Sequence, residues 1–115
     1  MSVSQLEQKK DIAENWEYYL KLMPEIADAY ETLPQEVYKD GFIKAKHKRL
    51  MALVGALVGG CRACVLYQTK EALEVGTTVD EVLESCAVAI SLGGTMAAGE
   101  TARVVAYLKE LGKLD

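Results

Sequence analysis

The sequence lacks the features that mark a secreted, membrane-spanning or nucleic-acid-binding protein. Its opening residues, MSVSQLEQKKD, contain no apolar leader, so secretion is not expected and a cytoplasmic location is. The longest runs without a charged residue, Leu50–Cys61 and Ser85–Gly99, span 12 and 15 residues. Both fall short of the roughly 18 apolar residues of a membrane-crossing helix. A net charge of −4 argues against general nucleic-acid binding, which depends on Lys and Arg neutralising phosphates. No Gly-rich phosphate loop is present. A closed zinc site needs four ligands, and beyond Cys61 and Cys64 only Cys86 and His47 are at hand. No cofactor and no metal are therefore expected.

Alternation of apolar and polar residues is also missing, so no segment reads as a half-buried strand. What the chain has is a single domain's length, 115 residues, half of them hydrophobic and 26% charged. That composition excludes disorder, and the length supports a core without disulfide staples. Residues 1–115 are read as one all-α domain. Ser4 can cap a helix running to about Leu22, with Leu6, Ile12, Trp16, Tyr19 and Leu20 available for an apolar face. Pro24 suits the first turn of a second helix ending near Gly41, and Pro34 is expected to interrupt it. A third spans about Lys44 to Val58, and a fourth opens at Cys61 and ends at Gly76. A fifth starts at Thr77-Thr78 and stops at Gly93-Gly94, and a sixth runs from Thr95 to about Leu111.

Two of these helices have almost no polar face. Leu50–Val58 and Ala87–Leu92 each need cover on every side, more than a bundle this small supplies easily. A homo-oligomer is expected on that ground. The cluster Trp16, Tyr18 and Tyr19 is read as core or interface, and Cys86 as a packed core residue. His47 reads as a surface residue.

The charges are unevenly distributed. Residues 1–40 carry nine acids and four bases, residues 71–115 eight acids and three bases. Between them, residues 41–70 carry six bases (Lys44, Lys46, Lys48, Arg49, Arg62, Lys70) and no carboxylate. This island is either a solvated basic face or a field that favours thiolates. It contains Cys61-Arg62-Ala63-Cys64, directly after Gly59-Gly60. Cysteines three apart on a first helical turn share a face within bridging reach, and the helix N-terminus favours a thiolate. Such a pair suits reversible dithiol chemistry; the alternatives are two buried cysteines acting as small hydrophobes, or zinc. Gln68, four residues beyond Cys64, projects from the same face but cannot take up a proton. Tyr67 lies one residue off that line, and its phenol needs strong perturbation to act as a base. Local sequence thus offers a dithiol without an obvious acid–base partner.

From about Gly41 to Leu111 the chain resembles the carboxymuconolactone decarboxylase superfamily, and within it the AhpD-like alkylhydroperoxidase branch. The matching elements are Lys46-x-x-Arg49-Leu50-Met51-Ala52-Leu53, Gly60-Cys61-x-x-Cys64 and Ala72-Leu73-Glu74-Val75-Gly76-Thr77-Thr78. Asp80-Glu81-Val82-Leu83-Glu84 and Val88-Ala89-x-x-x-Gly93-Gly94 complete the pattern, with residues 1–40 adding N-terminal helices. The resemblance implies an all-α fold assembled as homo-trimers or homo-hexamers. It implies a peroxidase in which Cys64 attacks a hydroperoxide substrate, Cys61 resolves the product to a disulfide, and a cellular dithiol reductant restores the pair. It also marks departures. The branch carries a glutamate where this chain has Arg49, and histidines where it has Ala63 and Gln68. In that frame Arg49 supplies charge and Gln68 orients a thiol or water, and activity is expected to be weak. The alternative is a non-enzymatic oligomer whose dithiol senses redox state or binds a partner. Lactone decarboxylation is set aside, since that branch does not rely on a dithiol.

Overall fold

A computed structural model of the chain describes residues 3–115; Met1 and Ser2, which open the segment read for a leader, lie outside them. The described residues form five helices and no strand: α1 (Gln5–Leu22), α2 (Pro24–Val37), α3 (Ala45–Gly59), α4 (Arg62–Glu74) and α5 (Val79–Glu110). The all-α expectation is met. The break expected at Gly93-Gly94 is present as a kink inside α5, so five continuous elements correspond to the six expected segments. Only Gly94 leaves helical geometry, with φ 62° and ψ −139°, and the chain resumes its helix at once. Both arms contribute residues to the core on either side of that kink.

Two helix starts are satisfied by local chemistry visible in the sequence. The Ser4 hydroxyl accepts from the Glu7 N–H at 3.1 Å. Thr78 and Glu81 form a reciprocal capping box, with bonds of 2.9 and 3.1 Å. Two further acceptors come from outside the helices they start. Glu110 accepts from the Ser4 hydroxyl at 2.7 Å and from the Gln5 and Leu6 N–H groups, each at 2.8 Å, so the end of α5 caps the start of α1. Asp40 accepts from the Ala45 N–H at 2.7 Å and starts α3.

The expected break at Pro34 does not occur, and α2 runs past it to Val37. Proline here removes one hydrogen bond in the last turn, and no residue of α2 is buried, so water replaces the lost partner. The helix ends before Gly41, where Lys48 Nζ donates to the Val37 and Lys39 carbonyls at 2.8 Å each.

The core comprises Leu53 and Leu57 of α3, Val65 of α4, and Val82, Cys86, Ala89, Ala97, Val104 and Leu108 of α5. Helix α3 packs on α5 and α4, and α1 lies across α4 and α5, whereas α2 packs against α1 and no other helix. Cys86 is buried in this core, as expected. The aromatic cluster is not core: Trp16, Tyr18 and Tyr19 are all exposed. Trp16 instead stacks on Tyr19 at 5.4 Å and meets the Tyr30 ring edge-on at 5.2 Å, joining α1 to α2. The two apolar runs are covered on one side only. Met51, Val88 and Leu92 remain exposed, the last at 71%. By length and composition α5 is apolar enough to cross a membrane, yet Gly94 divides it into arms shorter than the roughly 20 residues a span takes, and its inner face is core.

Candidate active site

The Cys61–Cys64 pair is placed by a glycine. Gly60 ends α3 in the left-handed region, φ +70°, and a Cβ there would meet the Met96 sulfur at 2.9 Å. The chain therefore reverses tightly against α5 and enters α4 with Cys61 as its N-cap residue. Cys61 Sγ accepts from the Cys64 N–H at 3.2 Å, one of the unpaired donors of a helix start. The two sulfurs are joined as a disulfide, with the Cα atoms 5.2 Å apart. Cys64 is exposed and Cys61 half-buried, so neither is a core hydrophobe and Cys64 is the more exposed residue.

Arg49 and Gln68, twelve residues before and seven after Cys61, meet across α3 and α4: an Arg49 terminal nitrogen donates to Gln68 Oε1 at 3.2 Å. Tyr38, from the segment linking α2 to α3, completes the group. The Arg49 guanidinium lies 3.6 Å from the centroid of the Tyr38 ring and 5.9 Å from that of Tyr67. Gln68 Nε2 reaches toward the Tyr38 hydroxyl at 3.5 Å. Burial and the neighbouring Glu71 carboxylate raise the Tyr67 pKa, outweighing the opposite pull of Arg49. Tyr67 is therefore a weaker acid than a free phenol and holds its proton at neutral pH.

The basic island is largely neutralised by carboxylates and carbonyls from elsewhere. Lys46 pairs with Glu81 at 3.0 Å, Lys70 with Glu74 at 2.8 Å, and Lys48 caps α2. Arg62, between the cysteines, reaches Glu100 at 3.7 Å, and Glu100 is also held by Arg103 at 3.2 Å. Among the described residues, Arg49 has no carboxylate partner.

Tyr38 and Glu100 escaped sequence reasoning. Tyr38 lies 11 residues before Arg49 in a charged linker, with no periodicity to connect them. Glu100 is 92% shielded, and only its position at the end of an uncharged run distinguished it. Cys86 stands apart from the site: burial raises its thiol pKa, only partly offset by the Thr101 hydroxyl. His47 is exposed. Among the described residues no three His, Cys, Asp or Glu side chains converge to hold a metal ion. A cavity of about 520 Å³ between α1, α4 and the end of α5, floored by Leu6, Leu73 and Tyr107, includes neither cysteine. It belongs to a different part of the surface.

Comparison with known proteins places this geometry in context. The model of the carboxymuconolactone decarboxylase family matches residues 24–107. An uncharacterised protein of Cupriavidus necator is 31% identical over 88 residues, covering 76% of this chain and 78% of that protein. The apo crystal structure of a carboxymuconolactone decarboxylase family protein from Legionella pneumophila superposes with a TM-score of 0.87 at 27% identity. That alignment covers 95% of this chain and 97% of the other. A family protein from Thermotoga maritima, suggested to take part in an antioxidative response, superposes with a TM-score of 0.69 at 29% identity, over 76% of this chain and 90% of its own.

Proposed function

Because the chain belongs to the carboxymuconolactone decarboxylase family, we propose that it is an AhpD-like, thiol-dependent peroxidase working through Cys61 and Cys64. The observation that carries this reading is the dithiol itself: two bonded cysteines at a helix N-terminus, one of them open to solvent. The antioxidative role suggested for the Thermotoga maritima relative points the same way.

In the proposed cycle the Cys64 thiolate attacks the outer oxygen of a hydroperoxide. The O–O bond breaks, Cys64 becomes a sulfenic acid, and the alkoxide leaves as an alcohol after taking a proton. Cys61 then attacks the sulfenic sulfur, forming the disulfide and releasing water. The balance is two thiols and one hydroperoxide to one disulfide, one alcohol and one water. A cellular dithiol reverses the oxidation by exchange. Greater exposure favours Cys64 as the attacking sulfur. The N–H that reaches Cys61 Sγ favours a thiolate there, as a resolving nucleophile requires. Arg49 supplies positive charge for the anionic oxygens, and Gln68 holds its fork.

The exposed apolar faces of α2, α3 and α5 fit a homo-trimer or homo-hexamer, in which α2 would find the packing it lacks in one chain. A dithiol that must be re-reduced fits a reducing, cytoplasmic setting. The test is direct: reduce the protein, remove the reductant, add an organic hydroperoxide, and follow peroxide and intact mass together. Stoichiometric peroxide loss with a two-hydrogen decrease in mass, abolished in Cys64→Ser, is expected. Unchanged mass and undiminished peroxide would refute the reading and leave a non-enzymatic oligomer with a sensing or partner-binding dithiol.

A further inference from the structure

Arg49 stands out from the other bases of residues 41–70. Lys46, Arg62 and Lys70 have carboxylate partners, Lys48 is spent on backbone carbonyls, and Lys44 is exposed to water. Arg49 is half-buried, without a counter-ion among the described residues, and fixed in orientation. The Tyr38 ring supports one face of the guanidinium at 3.6 Å, Gln68 takes one hydrogen bond and the Tyr67 hydroxyl another. An arginine has five N–H donors in a rigid fork, so this arrangement leaves donors for a ligand and has already immobilised the side chain. A neutral peroxide group does not require that investment, but a carboxylate does.

We propose that Arg49, with Tyr38 and Gln68, forms an anion-recognition site that makes carboxylate-bearing hydroperoxides the preferred substrates of the dithiol. This inference rests on the peroxidase reading above and narrows its substrate class. The spacing is suitable. Gln68 lies one helical turn from Cys64, about 6 Å along α4. With Arg49 bonded to Gln68, a carboxylate about one aromatic ring from the peroxide carbon suits that rise. The Tyr67 ring, 5.9 Å from the guanidinium and exposed, is an aromatic surface beside it. Glu71 acts on Tyr67, and it also interacts with Lys9 and Lys70, which reduces its opposition to an incoming anion.

The experiment compares cumene hydroperoxide with its para-carboxylate analogue, using the full chain, in wild type, Arg49→Met and Arg49→Lys. Wild type is expected to favour the carboxylate by about tenfold in kcat/KM, the effect of one charge-assisted contact in a partly exposed site, chiefly through KM. High salt should shrink the preference. Arg49→Met should bring the ratio to about one, whatever loss the two substrates share, and Arg49→Lys should leave it intermediate. A role confined to stabilising the thiolate would slow both substrates equally and keep the ratio. Equal use of the two substrates by wild type, or a preference that survives in Arg49→Met, overturns the proposal. If neither hydroperoxide is turned over, the peroxidase reading fails and calorimetric titration with benzoate decides the site alone. Binding lost in Arg49→Met supports the site, and no binding to wild type overturns it. Circular dichroism confirms that each variant is folded, and Arg49→Lys carries the comparison should Arg49→Met unfold.

Discussion

Glu110 holds the two ends of the chain together, and its replacement gives a quantitative test of the fold. Its carboxylate accepts from the Ser4 hydroxyl and from the Gln5 and Leu6 N–H groups at 2.7–2.8 Å, where the α1 dipole also favours negative charge. Partial burial alone would raise its pKa; the Leu6 N–H, the Ser4 hydroxyl and the Gln5 N–H outweigh that and hold it below the usual glutamate value. The site is exposed, so solvent screens the charge and the three bonds act as one strong cap. Glu110→Ala should therefore lose about 1–2 kcal/mol, the range for removing a helix cap, or roughly 4–8 °C in Tm. Glu110→Gln, which keeps an acceptor and loses the charge, should lose about half as much. A depressed folded-state pKa means the contribution is fully present above the ordinary glutamate range and disappears as pH falls through the folded value. Urea denaturation followed by circular dichroism should show a constant gap between wild type and Glu110→Gln from about pH 5 to 7, closing below about pH 4. Hydrogen exchange at Gln5 and Leu6 should accelerate in the same variant. A gap that persists undiminished at low pH, or no gap at neutral pH, would refute the capping role.

Two further perturbations address the core and the exposed faces. Leu57 is fully buried where α3 meets α5, so Leu57→Ala should destabilise the chain by about 2–5 kcal/mol in urea denaturation; a loss below about 1 kcal/mol would mean the site collapses or is not core. Leu92 is 71% exposed beside the half-exposed Val88 on α5, and Leu92→Asp should lower the mass measured by light scattering without loss of helical signal. An unchanged mass would exclude this face from the interface.

The helices were legible because their signals are local. Ser4, Pro24, Thr78 with Glu81, and Gly60 act within one turn of themselves, and each falls where its chemistry predicts. Pro34 and Gly93-Gly94 are both local breakers with different outcomes: Gly94 kinks α5 where expected, whereas Pro34 leaves α2 unbroken in a last turn that buries nothing. The dithiol was also local and readable. The Arg49 cluster was not, because Tyr38, Arg49 and Gln68 come from three separate segments, and no spacing rule joins residues across a tertiary contact. The Arg49–Gln68 pair was anticipated only as two unusual positions in a family pattern. Their direct hydrogen bond is a property of the packing of α3 on α4.

The surroundings of the dithiol also change how the proposed chemistry must work. Where the AhpD-like pattern has a glutamate and two histidines, this chain offers Arg49, Ala63 and Gln68, none of which shuttles a proton at neutral pH. Losing such help typically slows a reaction by about 10²–10⁴-fold. Arg49 cannot replace the relay, but it can lower the energy of anions: the attacking thiolate, the departing alkoxide, or a carboxylate that anchors the substrate. Tyr67 stays protonated because burial and Glu71 raise its pKa, so beside the guanidinium it is a hydrogen-bond donor and not a base. Both changes act in the same direction. A site that exchanged proton transfer for fixed positive charge gains most from substrates that bring their own negative charge, since binding then supplies part of what the missing relay no longer does.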